Sequence, residues 1–268
     1  MFGLNSRMSG FPARALLPHP RYHFHGYAGD QITGDNKFFD RTALGNHGVR
    51  GANLSEAQMF ANAGYMSTID PAGGATDSVI RIPNINFDYA NGEKLIVYWL
   101  GKATPEGAST NFMGDGFSGT YAGTRVRMNT AGTFQLTLYD SPNSGGVYGG
   151  TSNGVPFDGN LHSLAFVLDG SVKKYGMWVD EIYDSGLGAT YATYSGGTSV
   201  DTRNTNPWNI GCASPVAAAS TTGVATQTRA LHILRLSASD PIPSVAVLSS
   251  AFRQIRSNPS KAILGGAF

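Results

Sequence analysis

One stretch near the middle of the chain, residues 160 to 182, constrains the fold more than any other. In its first half Leu164, Phe166 and Leu168 share one face, as the two-residue period of a β-strand requires. A short Asp-Gly-Ser turn follows, and the run from Tyr175 to Val179 then places its apolar residues on one side again. The pattern predicts two long antiparallel strands joined in a hairpin.

The composition favours a single all-β domain. A chain of 268 residues that is 41% hydrophobic can bury a large core, and its 35 glycines suit many tight turns. β-Sandwiches of this length commonly form one domain. The net charge is +1, without a cluster of Lys and Arg, so we expect no nucleic-acid partner. The single cysteine, Cys212, has no intrachain disulfide partner, so we expect packing to supply the stability.

The first 29 residues form a segment of distinct composition. They contain Arg7, Arg14 and Arg21, three prolines and no acidic residue. A segment of this kind cannot bury enough of itself to fold alone, and its apolar run is too interrupted for a secretory signal. No run of about 20 apolar residues occurs, so we also expect no membrane partner. We interpret residues 1–29 as an N-terminal arm that anchors the protein to a neighbouring chain through the three arginines.

Further elements follow from local patterns. Residues 92–102 are apolar on both faces, which predicts a central strand with Trp99 in the core, and Trp178 is also expected there. Apolar residues at helical spacing follow Ser244, a good N-cap, and Pro259 stops them, which predicts a short C-terminal helix. The predicted organisation is therefore an arm (1–29), a sandwich (30–240), and a helix with an apolar tail (241–268). We expect the tail to be covered by a neighbouring subunit or by a groove of the domain itself.

Several segments resemble those of laminin G-like domains, in the same order. The run from Asp40 to Gly48 resembles the family's Asp-x-Ser-Gly-Asn-x-Gly loop, with Thr42 in the Ser position and two residues inserted. The 92–102 strand, the 160–182 hairpin and the 230–237 strand resemble later strands of the family. The resemblance implies an all-β, two-sheet antiparallel jelly-roll sandwich of the concanavalin A-like or laminin G-like type, with an extended N-terminal arm and a short C-terminal helix.

The resemblance also implies a metal site. Many laminin G-like domains hold a calcium ion at the rim of the sandwich, and by resemblance Asp40 and Asn46 would be ligands, with Asp115 as a further candidate. The alternative is that these residues cap turns through hydrogen bonds of their own side chains. We expect no other cofactor.

The carboxylates do not have the spacing of a glycosidase. Asp180 and Asp184 share a strand face and lie about 13 Å apart at ~3.3 Å per residue, while Glu181 is expected on the opposite side. Glycosidase pairs are separated by about 5.5 Å or at most about 9.5 Å. A pair assembled from distant loops stays open. We expect a protein that is not an enzyme.

The ending of the chain resembles that of laminin G-like proteins encoded by tailed bacteriophages, which close with a short helix and an Asn-Pro, here Asn258-Pro259. This resemblance implies a structural virion protein, a capsid decoration or tail component. Its partners would be other virion proteins and copies of itself in an oligomer.

A rival hypothesis is a glycan-binding receptor or adhesion module that binds a host surface glycan. It would use the long loops between residues 186 and 228, whose rings Tyr191, Tyr194 and Trp208 could stack on sugars. A polysaccharide-degrading enzyme is the third hypothesis, and the carboxylate spacing argues against it.

Overall fold

A computed structural model describes residues 21–30, 35–42, 44–68, 79–103, 110–116, 122–128, 133–139, 147–151, 158–184, 192–193, 202–211 and 225–260. In this part of the chain the strands form two antiparallel sheets that pack face to face, and a C-terminal helix covers the outer side of one sheet. The predicted two-sheet antiparallel sandwich with a C-terminal helix is therefore confirmed.

The first sheet contains eight described strands. Its main path is β1 (Tyr22–Tyr27), β16 (Thr226–Leu236), β6 (Lys94–Ala103), β11 (His162–Asp169), β12 (Lys174–Val179) and β13 (Ile182–Tyr183); β4 (Met66–Ser67) pairs with β16, and β14 (Ala192–Thr193) pairs with β12.

The second sheet also has eight strands among the residues described. Their order is β10 (Val147–Thr151), β9 (Phe134–Tyr139), β8 (Gly123–Met128), β7 (Thr110–Gly114), β15 (Trp208–Ile210), β5 (Ile80–Ile82), β3 (Gly48–Arg50) and β2 (Lys37–Phe38). Two α-helices, α1 (Glu56–Met59) and α2 (Val245–Ser257), and a 3₁₀ turn at Ala28–Asp30 complete the described elements.

The predicted hairpin is the pair β11 and β12, in which Phe166 pairs with Met177. Strand β6 lies between β16 and β11 and is buried on both faces, as predicted for a central strand. Because successive side chains point to opposite faces, these strands contribute side chains to two cores. The inner core lies between the sheets and takes Trp99 and Phe166, whereas the outer core lies under α2 and takes Tyr98 and Trp178.

Helix α2 closes the outer core. Ser244 caps its N-terminus and accepts a hydrogen bond from the Val247 backbone N–H. Its apolar face buries Phe252, whose ring stacks on Tyr98 with centroids 5.3 Å apart. The indole of Trp178 donates to the Ser249 hydroxyl at 2.7 Å. No helix in the described part of the chain is both long and apolar enough to cross a membrane.

Strand β1 changes the predicted boundary of the N-terminal arm. It pairs with the chain's own β16 from Tyr22 to Tyr27, and Phe24 is buried in the inner core. The exposed Arg21 donates its backbone N–H to the Arg235 carbonyl at 2.8 Å. The sandwich therefore begins at Tyr22, ahead of the boundary predicted after residue 29, because the alternating aromatic and polar residues of β1 pair with β16. Arg7 and Arg14 lie outside the described residues, as does the tail 261–268.

The packing of α2 predicts that the ring of Phe252 contributes strongly to the free energy of unfolding. Phe252→Ala should lower the free energy of unfolding by about 3 to 5 kcal/mol, because a fully buried ring leaves a cavity against Tyr98 and Trp178. Arg253→Ala, at the neighbouring exposed position, should change it by less than about 0.5 kcal/mol. Urea unfolding of both variants measures the difference, and a loss below about 1 kcal/mol for Phe252→Ala would contradict the role given to α2.

Candidate functional site

A polar cleft of 320 Å³ opens at one end of the sandwich, where β4, β6 and β16 meet α1. Its walls come from α1 and the turn after it, from β4, from the end of β6 and from the start of β16. The residues that line it are Gln58, Ala61, Asn62, Ser67, Thr68, Lys102, Ala103, Gly159, Ala225, Thr226 and Gln227.

The floor of the cleft is rigid. Thr68 and Thr226 bond to each other through their backbones and hydroxyls, with the two hydroxyl oxygens 2.9 Å apart and the Thr226 N–H donating to Thr68 Oγ1 at 3.0 Å. Below them the Trp99 indole donates to Thr228 Oγ1 at 2.9 Å. A Cβ at Gly101 would lie 2.4 Å from both the Gln227 carbonyl oxygen and the Trp99 ring, so glycine permits this close approach of the strands. The cleft is thus preorganised by buried contacts.

The rim of the cleft carries amide groups. Gln58 completes a capping box for α1, in which its Oε1 accepts from the Ser55 N–H at 2.9 Å, and this fixes its side chain at the cleft. Asn62 is exposed and donates to Ser67 Oγ at 3.2 Å. Gln227 is half-buried on β16, opposite Lys102 of β6. Gln58 offers a ligand its side-chain NH₂ group, because the Ser55 N–H and hydroxyl both donate to its Oε1, and Asn62 and Gln227 add carbonyl acceptors.

Lys102 supplies the positive charge of the cleft. Its ammonium lies 5.2 Å from the centroid of the Tyr65 ring, and no described carboxylate lies within ion-pair distance of it. The described lining contains no Asp, Glu or His. The cleft therefore suits a polar or anionic ligand, and general acid–base chemistry has no side chain of its own in this lining.

Comparison with known proteins finds similar structures but no similar sequence. No protein-family model and no curated protein matches the sequence. The binding domain of botulinum neurotoxin serotype G has a TM-score of 0.55 at 9% identity, over 88% of this chain and 51% of that chain. A Trypanosoma rangeli sialidase in complex with sialic acid has a TM-score of 0.52 at 10% identity, over 91% of this chain and 33% of that chain.

The chain has a concanavalin A-like sandwich fold. The serotype D neurotoxin binding domain gives a similar result, with a TM-score of 0.50 at 7% identity over 86% of this chain and 50% of that chain. This concanavalin A-like chain thus spans about half the length of the neurotoxin domains and a third of the sialidase. At such low identities the likeness concerns the fold.

The aromatic site predicted from the sequence is not reproduced where it can be checked. Trp208 is fully buried in the inner core and stacks near Phe166, with ring centroids 6.3 Å apart. Its ring therefore offers no surface to a sugar, because β15 lies within the second sheet rather than in a loop. Tyr191 and Tyr194 lie outside the described residues.

Asp40 organises a turn. Its carboxylate accepts from the backbone N–H groups of His25 at 2.9 Å, Thr42 at 3.0 Å and Asn46 at 2.9 Å, and from the Thr42 hydroxyl. The Asn46 side-chain amide donates to the His23 carbonyl at 3.0 Å. These bonds fit the turn-capping alternative, since both oxygens of Asp40 already have donors.

Asp115 lies elsewhere, directly after β7 of the second sheet. Its buried carboxylate accepts from the Thr124 N–H at 2.7 Å and from Asn204 Nδ2 at 3.2 Å, and burial raises its pKa to about 7. No hydrogen bond joins it to Asp40 or Asn46. Within the described ranges no group of three or more His, Cys, Asp or Glu residues could hold a metal ion.

The carboxylates of Asp180 and Glu181 meet at one cation. Both residues have positive φ, 50° and 62°, in the two-residue turn between β12 and β13. Arg256 of α2 places Nη1 2.7 Å from Asp180 and 3.4 Å from Glu181. The expectation that Glu181 points away from Asp180 was wrong, because the left-handed turn interrupts the alternation of the strand. The pair fastens α2 to the first sheet.

The turn-capping role of Asp40 predicts a calcium-independent fold. Asp40→Asn should lower the free energy of unfolding by about 2 kcal/mol, since the charge that four donors share is lost. The melting temperature of the wild type should not change with millimolar calcium or with EDTA, because a ligand stabilises only a fold that binds it. A calcium-dependent rise of several degrees that Asp40→Asn abolishes would show that Asp40 is a ligand.

Proposed function

We propose that this concanavalin A-like domain binds carbohydrate in the polar cleft and does not hydrolyse it. The observation that carries the proposal is the rim itself, in which Gln58, Asn62 and Gln227 present amides beside Lys102 over a fixed floor. A volume of 320 Å³ is within the range of small-molecule sites. Amides that donate and accept at once match the paired hydroxyls of a sugar ring.

Tyr65 adds an apolar contact next to this rim. Its ring is half-buried and lies against the Lys102 ammonium. A tyrosine ring beside the rim provides an apolar surface for the C–H face of a sugar. The start of β16 lies in the 186–228 region from which the sequence predicted glycan contacts, and Ala225, Thr226 and Gln227 of that region line the cleft.

The charge of the cleft favours an acidic sugar. Lys102 is the ionisable residue of the described lining, and a carboxylate or sulfate of a glycan would form a charge-assisted hydrogen bond with it. One of the structural neighbours is a sialidase that was crystallised with sialic acid, an acidic sugar. For this chain that likeness supports the proposal only because the two proteins share a fold.

Binding without hydrolysis is part of the same proposal. The described lining has no carboxylate. The paired carboxylates of Asp180 and Glu181 are engaged by Arg256, and Glu181 also accepts from the Tyr98 hydroxyl at 3.0 Å. Carboxylates held in this way do not act as a free acid and base across an open cleft.

A glycan array followed by calorimetry tests the cleft. The wild type should bind a subset of acidic glycans, and Lys102→Gln should weaken that binding at least tenfold, about 1.4 kcal/mol, because the side chain keeps a polar end and loses its charge. Gln227→Ala should weaken binding of acidic and neutral glycans alike, since it removes an amide rather than a charge. No reducing ends should appear on incubation with the bound glycans.

Lys37→Gln is the matched control, because Lys37 is an exposed lysine of β2 in the second sheet and does not line the cleft. It should bind as the wild type does. Equal binding by wild type and Lys102→Gln would show that the cleft is not the binding site. An array without any bound glycan would contradict glycan binding itself.

A second candidate function is that of a structural virion protein of a tailed phage, on which this domain would be displayed. The observation that favours it is the ending of the chain, where α2 is followed by Asn258-Pro259 as the resemblance implied. In this hypothesis the N-terminal arm anchors the domain to other virion proteins and to copies of itself.

Two truncations test the arm. A chain that begins at Arg21 keeps β1 and should fold, yet should be absent from purified particles. A chain that begins at residue 30 loses β1 with the buried Phe24 and should not fold stably. Thermal unfolding and gel analysis of particles measure both effects. Normal incorporation of the chain that begins at Arg21 would contradict anchoring by residues 1–20.

A further inference from the structure

Three buried histidines lie together on the outer face of the first sheet. His23 and His25 alternate along β1, and His232 of β16 is the cross-strand partner of His25. The imidazoles of His25 and His232 stack with centroids 4.1 Å apart and planes at 20°. All three side chains are inaccessible to solvent. We call these residues the histidine cluster.

The histidine cluster contacts the C-terminal segment directly at Pro259 and reaches Phe252 through Tyr98 of β6. His25 Nε2 lies 3.2 Å from the carbonyl oxygen of Pro259, which fixes the tautomer with the proton on Nε2. The His232 ring contacts Tyr98, with centroids 6.1 Å apart, and Tyr98 stacks on Phe252 of α2. The cluster is therefore covered by the segment that also closes the outer core.

The surroundings of the cluster favour uncharged imidazole rings. Among the described residues, His25 Nδ1 and both ring nitrogens of His232 have no hydrogen-bond partner. A proton on either ring would place a donor without an acceptor in a buried site, 4.1 Å from a second ring that can also become charged. Bulk water does not reach these nitrogens while the site is closed.

We propose that residues 245–260 cover the outer face of the first sheet at neutral pH, and that protonation of the histidine cluster in mild acid releases this cover. At neutral pH the rings are uncharged and the cover is closed. In mild acid they take up protons, and the opened state, in which the cations are hydrated, is favoured.

Burial and the nearby charged groups together determine the pKa values of the histidine cluster. Burial is the main cause of the lowered pKa of each ring, to about 4 for His23, below 6.5 for His25 and well below 6.5 for His232. Asp40 and Asp30, from the segments beside β1, favour protonation, whereas Arg41 opposes it. On β6, burial and then Glu181 raise the pKa of Tyr98, so that its hydroxyl stays neutral.

The sign of the pH dependence follows from these shifts. The opened state binds more protons than the closed state between pH 6.5 and about 4, so the stability of the cover is complete above pH 6.5 and falls as the pH drops through that window.

The polar contact of α2 with Asp180 involves a histidine outside the cluster. Burial alone would lower the pKa of His162, but its bonds to Asp180 and Asp158 outweigh burial and raise it, so acid strengthens the bond between His162 and Asp180 within the first sheet. Asp180 in turn binds Arg256 of α2. The pKa of Asp180 is lowered because hydrogen bonds outweigh burial, so this bond persists through the window. Release should therefore begin at Pro259 rather than at Arg256.

Amide hydrogen exchange at about pH 7.5 and pH 5, corrected for intrinsic rates, tests the proposal. Exchange of the peptide that spans 248–260 should be at least tenfold faster at the lower pH, with a smaller change in the second sheet. His232→Phe keeps a ring in the stack and cannot be protonated, so it should lose most of this acid response. His162→Gln, which removes a histidine outside the cluster, serves as the control and should leave the response in place.

An acid response of His232→Phe equal to that of the wild type would overturn the proposal, as would equal exchange of the wild-type peptide at both pH values. Histidine NMR signals of the wild type provide a measurement that needs no variant. Values of the pKa at or above 6.5 for His25 and His232 would overturn the proposal, and values well below 6.5 support it.

Discussion

The constraint on which this structure depends is that the first sheet is buried on both faces. Strands β6 and β11 carry apolar side chains on every side, so one packed neighbour cannot cover them. The second sheet covers one face through the inner core, and α2 covers the other through the outer core. The cleft and the histidine cluster are both arranged around this sheet. The cleft lies at one of its ends, and the histidine cluster lies under its outer cover.

Strand β16 connects these two regions. Its first residues, Thr226 and Gln227, line the cleft, and His232 lies farther along the same strand in the histidine cluster. A bulge between Thr228 and Ala230 separates the two parts, so that each part keeps its own pattern of alternation. The polar end of the strand faces a site open to ligands, whereas its middle is enclosed by β1, β6 and α2.

The sequence predicted those elements whose signal is local. The alternation of Leu164, Phe166 and Leu168 identified a strand, and Ser244 followed by apolar residues at helical spacing identified α2. The cleft was missed because it is assembled from positions as far apart as Gln58 and Gln227, which meet only through the pairing of β16 with β4 and β6. The capping box at Ser55 and Gln58 was the one local signal near it. Trp208 was expected to expose its ring because it lies beside two small-residue loops, whereas β15 pairs with β5 and β7 and buries that ring in the inner core.

The central claim is that a sugar occupies the cleft at the start of β16. The most direct measurement is the change in backbone amide NMR signals when an acidic oligosaccharide that binds the protein is titrated in. The account predicts that the signals that move belong to Ser67, Thr68, Thr226 and Gln227, with those of the second sheet unmoved. Shifts that cluster on β8 and β9, with the cleft signals unchanged, would contradict it.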